Sequence, residues 1–258
     1  MKAPLRVLLA YGLASLVGAA AFVYPFWLPD GTLSTRSTDA PLIAGVVGAL
    51  AIAAVMAEIR AHTMTGADVA VLGMLSAMAG LMRLIDLPGG GSGIFLLVIL
   101  GAVALGPRRG FLLGLFSMAL SAVVTGGVGP WLPFQMLVLA WVGAALGLIG
   151  RATRRMPPTA ELAVVAVAAW ASAFLYGVLI NLWSWPLTPG EGELQWHPGL
   201  GAGETLRRYW SFYVATSSAW DAAGAFANAV AVIVLGRPVL ATLRRFAARL
   251  DPVVELDA

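Results

Sequence analysis

Residues 87–151 read LPGGGSGIFLLVILGAVALGPRRGFLLGLFSMALSAVVTGGVGPWLPFQMLVLAWVGAALGLIGR, and the rest of the chain is organised around this stretch. It holds three apolar runs and two unusual loops. A glycine cluster (Gly89, Gly90, Gly91, Gly93) opens the first run, and Gly106-Pro107-Arg108-Arg109-Gly110 links it tightly to the second. Gly126-Gly127-Val128-Gly129-Pro130-Trp131-Leu132-Pro133-Phe134-Gln135 then leads into the third. If each run crosses a bilayer, the arginines fall on one side and the glycine and tryptophan loops on the other.

Composition extends that reading to the whole chain. Of 258 residues, 60% are hydrophobic and only 11% charged, with a mean hydropathy of +0.87. An ordinary soluble domain cannot bury so much apolar surface, so the sequence describes an all-α integral membrane protein. The net charge of +3 comes from arginines punctuating apolar runs rather than from one basic face, which argues against nucleic-acid binding. Cysteine is absent, which excludes a disulfide framework, a thiolate nucleophile and cysteine-ligated metal.

A spanning helix needs about 20 apolar residues, because its backbone groups must be satisfied within the segment. About eight runs qualify, over 7–28, 41–57, 67–84, 93–106, 110–125, 134–150, 160–185 and 209–235, with 93–106 and 110–125 short for a full span. Cationic side chains are retained on the cytoplasmic side. With the N-terminus inside, Arg60, Arg108, Arg109, Arg151, Arg154, Arg155, Arg237, Arg244, Arg245 and Arg249 all fall inside, and only Arg36, Arg83, Arg207 and Arg208 fall outside. The expectation is a multi-pass protein of the cell membrane with both termini cytoplasmic. The basic start and small residues of the first run resemble a secretory signal, but its apolar stretch continues past a usual signal core, with Tyr24, Phe26 and Trp27 placed as an interfacial belt.

The alternation of a short GPRRG turn with a GPW-P-Q loop resembles the substrate-binding S component of an energy-coupling factor (ECF) vitamin transporter, most nearly its cobalamin-type members. The resemblance covers about residues 64–250. It implies a six-helix substrate-binding core over 64–250, preceded by two additional N-terminal transmembrane helices within 1–63 and followed by a cytoplasmic tail over 251–258. It also implies a vitamin as substrate, partnership with a membrane-embedded T component and two cytoplasmic ATPases, no catalytic activity and no cofactor. The aromatic walls suit riboflavin, thiamine or a queuosine-type precursor as well as cobalamin.

In the first core helix, Gly73 and Ala77, and Ser76 and Gly80, form overlapping small-xxx-small pairs. Such ridges let helices approach closely, either within the bundle or against a partner. In the resembling family a related AxxxA surface docks on the T component, so Gly73 and Ala77 are the candidate partner-contact residues.

Glycines at 89–93 and 126–129 make either plain turns or a close-fitting lid over a ligand. Their convergence on one face with Trp131, Phe134 and Gln135 favours the lid, and an amide just inside a helix start seeks a protein, water or ligand partner. The last two runs add Asn181, Trp185, Tyr209 and Tyr213 at the same edge, either as a membrane belt or as a flat aromatic-lined pocket. Substrate binding is therefore assigned to Gly90, Gly91, Trp131, Phe134, Gln135, Asn181, Trp185, Tyr209 and Tyr213. Asp221 reads as an acid well inside the last span, either functional or hydrogen-bonded within the bundle. His197, in an external loop, is a weaker candidate for a corrinoid contact, since cobalt accepts imidazole; no other metal site is expected.

The competing classes are an intramembrane enzyme and a structural membrane protein. An enzyme needs paired catalytic groups. Asp86 and Asp221 lack a GxGD setting, His62 and His197 have no HExxH companion, and the sequence has no Walker A motif.

Overall fold

The computed structural model describes residues 4–23, 26, 36–87, 91–188 and 192–250. Among them are nine α-helices and one two-stranded hairpin. Helices α1 (Leu5–Val23), α2 (Arg36–Arg60) and α3 (Gly66–Leu81) come first, and α3 continues into a 3-10 turn, Met82–Leu84. Strands β1 (Asp86–Leu87) and β2 (Gly91–Ser92) pair antiparallel, Asp86 opposite Ser92. Then follow α4 (Ile94–Leu105), α5 (Pro107–Thr125), α6 (Leu132–Thr153), α7 (Pro158–Ser184), α8 (Ala202–Thr216) and α9 (Ser218–Leu250). Among the described residues six helices are long and apolar enough to cross a membrane: α1, α3 with its 3-10 turn, α5, α6, α7 and α9. The 12-residue α4 is apolar but shorter.

The expectation of eight helices is corrected at the C-terminal end. The run 209–235 is two elements, because Ser217 leaves helical geometry at φ −131°, ψ −29° and ends α8. Three hydroxyls gather at this break: Thr216 Oγ1 donates to Phe212 O, Ser218 Oγ to Val214 O, and Ser217 Oγ across to Asn181 Oδ1 at 3.0 Å. Such side chains compete with the helical backbone ladder. At 15 residues, about 22 Å, and with Glu204, Arg207 and Arg208 on its outer face, α8 is too short and too polar to span. Asp221 consequently sits in the first turn of α9, at the end of a span rather than deep within it.

The centre of the bundle is α6, whose Leu137, Val138, Leu139 and Ala140 are wholly buried. It packs on α5 at backbone distance: a Cβ added to Gly110 would stand 2.5 Å from Gly143 O. Removing side chains there lets two helices gain dispersion contacts along their backbones. The first two helices lie against this centre. Trp141 Nε1 donates to Ser15 Oγ at 3.1 Å, Phe22 meets Phe134 edge-on at 5.0 Å, and Tyr11 does the same with Phe111 at 5.4 Å.

One end of the bundle is basic, and three of its cations are paired. Arg108 meets Glu58 at 2.5 Å, Arg109 meets Asp68 at 2.8 Å, and Arg244 holds Glu161 through two nitrogens at 2.8 and 2.5 Å. Thr65 and Asp68 form a capping box that starts α3 at this end. The opposite end carries the hairpin, the 126–131 loop and α8.

Candidate functional site

The hairpin end is organised by α7, α8 and the first turn of α9. Tyr213 Oη donates to Asp221 Oδ2 at 2.8 Å, and the carboxylate lies against the bare backbone of Gly177, where any Cβ would overlap it. One turn further along α7, Asn181 donates through Nδ2 to Gly177 O at 2.8 Å and accepts from Ser217. Tyr209 Oη donates to Val178 O. A polar seam thus runs down α7 from Asn181 to Gly177, with α8 and α9 supplying its other side. Burial holds the Tyr209 and Tyr213 phenols above their usual range, and Asp221 adds to the effect on both.

Above this seam sits an aromatic cap. Trp185, 1% exposed, packs with Tyr209 at 5.4 Å and Phe212 at 6.3 Å, and Trp196 completes the cluster with Phe26 edge-on at 5.5 Å. Trp185 Nε1 donates to Leu194 O at 2.8 Å, tying the cap to the 192–194 turn. Glu204 bridges Arg207 and Arg208 on the exposed side of α8, and those guanidiniums lower its pKa to about 2.

The residues singled out from sequence divide into three groups. Asn181, Trp185, Tyr209 and Tyr213 come together as described. Trp131, Phe134 and Gln135 lie apart at the start of α6. There Trp131 is 43% exposed and donates to Gly127 O at 3.2 Å, its ring lying over Gly129. Phe134 is buried and stacks on Trp183 at 4.8 Å, while half-buried Gln135 makes no side-chain hydrogen bond among the described residues. Among these residues no ring contact or side-chain hydrogen bond joins Trp131 or Gln135 to the Asn181–Tyr213 group. Gly91 pairs with Leu87 in the hairpin, whereas Gly90 lies outside the described residues. His197 is exposed, its Nδ1 3.3 Å from Pro198 O.

Gly73 and Ala77 both face outward from α3, and a Cβ on Gly73 would meet nothing within 4 Å. The overlapping pair points the other way, with Gly80 against Ser121 N and Ser76 wholly buried. The two small-residue pairs therefore lie on different faces of one helix. Beside the outward ridge runs an apolar groove of about 410 Å³ between α3, α4 and α9, lined by Met74, Met78, Leu105, Leu243 and Phe246 among others.

Sequence reasoning passed over two residues at this end. Arg83 was read only as an outer arginine, yet its Nη1 reaches Met118 Sδ at 3.5 Å in the bundle. Tyr176 was one aromatic among many; its ring meets Phe95 edge-on at 5.2 Å and its phenol lies beside Arg83. The available signal was a single arginine closing an otherwise apolar helix, in the run MRLID.

A family model described as "ECF transporter, substrate-specific component" matches residues 67–236, well over half of the chain. No curated protein and no solved structure matches it.

Proposed function

The chain belongs to the family of substrate-specific components of ECF transporters, and on that premise we propose that it captures a vitamin or related micronutrient at its hairpin end. Members of this family bind small-molecule substrates in the membrane and work with a T component and ATPases. The observation that carries the proposal is the polar seam of Asn181, Ser217, Tyr213 and Asp221 beneath the Trp185–Tyr209 cap, where flat apolar area meets a few orienting polar groups. In this reading Trp131, Phe134 and Gln135, with Gly90 and Gly91, contribute to the same site.

In this proposal the basic end faces the cytoplasm, with both termini, and the hairpin end faces outward, in keeping with cation retention. The outward ridge of Gly73 and Ala77 meets the T component, and hydrolysis by the partner ATPases drives reorientation of the loaded subunit. Cobalamin is the first substrate to test, on the resemblance of the GGGSG and GPW-P-Q loops. A smaller flat heterocycle such as riboflavin, thiamine or a queuosine-type precursor is the second reading, favoured by the close packing of Trp185 on Tyr209. A thermal-shift screen of the purified chain against these compounds tests the proposal. Saturable stabilisation by one of them supports it, and a flat response to all of them refutes it.

A further inference from the structure

Arg83 is placed unusually for a cation near a helix end. Contact of Gly80 with the Ser121 backbone fixes the level of α3 on α5. Met118 lies nearly a turn further into the bundle than Ser121, and Arg83 lies nearly a turn beyond Gly80 in the other direction. The guanidinium nevertheless reaches Met118, which is 1% exposed, so the side chain folds back into the bundle. Arginines near the ends of spans ordinarily extend toward water.

Inside, its partners are poor. A thioether is a weak acceptor, and the Tyr176 hydroxyl beside it supplies one oxygen for five N–H donors. Among the described residues no carboxylate lies within ion-pairing distance of Arg83, whereas Arg108, Arg109, Arg208 and Arg244 each have one. Asp221 is engaged by Tyr213, and among the described residues it makes no ion pair with Arg83. Two further groups stand on elements packed around the Met82–Leu84 turn. Ser92 Oγ on β2 and Asn228 Oδ1 on α9 are buried without a hydrogen-bond partner, and β2 packs on both α9 and the Met82–Leu84 turn.

Among the described side chains no acid pairs with this half-buried guanidinium, and such a cation is costly unless something anionic arrives. We infer that the substrate carries an anionic group, a carboxylate or a phosphate, which Arg83 binds beneath the hairpin while Ser92 and Asn228 pair with polar atoms of the same ligand. The planar fork of arginine suits two oxygens of either group. This rests on the substrate-binding reading above and adds a charge class to it, which cobalamin meets through its phosphodiester and cationic thiamine or neutral riboflavin does not.

The test is equilibrium binding to the purified full chain of two series of probes. Vitamins bearing a carboxylate are paired with their neutral amides, and phosphorylated vitamins with their free alcohols, so the two series separate the two sources of charge. In one series the anionic member binds at least about 30-fold more tightly than its neutral partner. Arg83→Gln abolishes that difference, and Arg83→Lys, which keeps charge but not the fork, retains part of it. A neutral partner that binds wild type as tightly as the anion overturns the anion site alone. Failure of every probe to bind overturns the substrate-binding reading together with it. The comparison within each pair is made on the unaltered chain, so a misfolded variant does not decide it.

Discussion

Tyr213 and Asp221 join the last two helices: the phenol of α8 donates to the carboxylate in the first turn of α9 at 2.8 Å, and that carboxylate rests on the uncovered backbone of Gly177. Three elements meet at this point, so a local change there reaches the whole hairpin end. Tyr213→Phe leaves a partly buried carboxylate oxygen without its donor and is expected to destabilise the fold by about 1–3 kcal/mol. Asp221→Asn keeps an acceptor for the phenol and should lose less. Denaturant or thermal unfolding in detergent ranks the two; equal losses would show that the hydrogen bond is not what holds α8 to α9.

Gly177 offers an independent check on the same junction. A methyl group at this position would occupy the volume of the Asp221 carboxylate, so Gly177→Ala must displace α9 or rotate the acid away from Tyr213. The expected loss is about 1–3 kcal/mol, as for overpacking elsewhere. Gly73→Ala, with open space around it, serves as the control and should stay within about 0.5 kcal/mol of wild type.

Enlarging the outward ridge separates partner contact from folding. Gly73→Leu or Ala77→Leu projects into open surroundings, so unfolding and vitamin binding should stay unchanged while co-purification with the T component is lost. Loss of stability together with binding would return these residues to the core of the bundle.

How much of this could be read from the sequence depends on which force set each feature. The spans of α1, α3, α5, α6 and α7 were legible because apolar length is a property of one segment. The break at Ser217 was not, since apolar character continues on either side and the helix ends through a hydrogen bond to Asn181, 36 residues away. The small-residue pairs of α3 were visible, but their division into an outward and an inward face depends on where α5 lies. Gly110 was read as part of a turn, and its contact with Gly143 needed the pairing of α5 and α6. For Arg83 the sequence supplied the charge and the helix end, and direction came from Met118 and Tyr176 on two other helices. At the candidate site the tyrosines, Trp185 and Asn181 were named, yet their partners Gly177 and Val178 carry no chemical signature of their own, and Ser217, a sequence candidate for pairing with Asp221, pairs with Asn181 instead while Tyr213 takes the acid.

The exposed side of α8 is expected to respond to acid. Arg207 and Arg208 hold the Glu204 carboxyl below its ordinary value of 4.5, at about 2. A carboxyl with a lowered folded-state pKa stabilises the fold above its unfolded-state value, and that contribution fades as the pH falls from about 4.5 to about 2. Protection factors of α8 amides, taken against the intrinsic exchange rate at each pH, should therefore fall across this window, and Glu204→Gln should remove the fall. A fall that persists unchanged in the variant would assign it to another group.

Orientation is open to labelling, because the chain has no native cysteine. Gly129→Cys should react with an impermeant maleimide from outside intact cells, and Arg154→Cys only after permeabilisation. The reverse pattern would invert the proposed sidedness and move the site to the cytoplasmic face.

Calorimetric titration of the purified chain, with neither T component nor ATPases present, tests the substrate-binding role most directly. The expected result is saturable binding of one equivalent of a single vitamin, weakened about 5- to 150-fold by Gln135→Ala and at least as much by Trp131→Ala. Absence of binding by any vitamin to the isolated chain would contradict it.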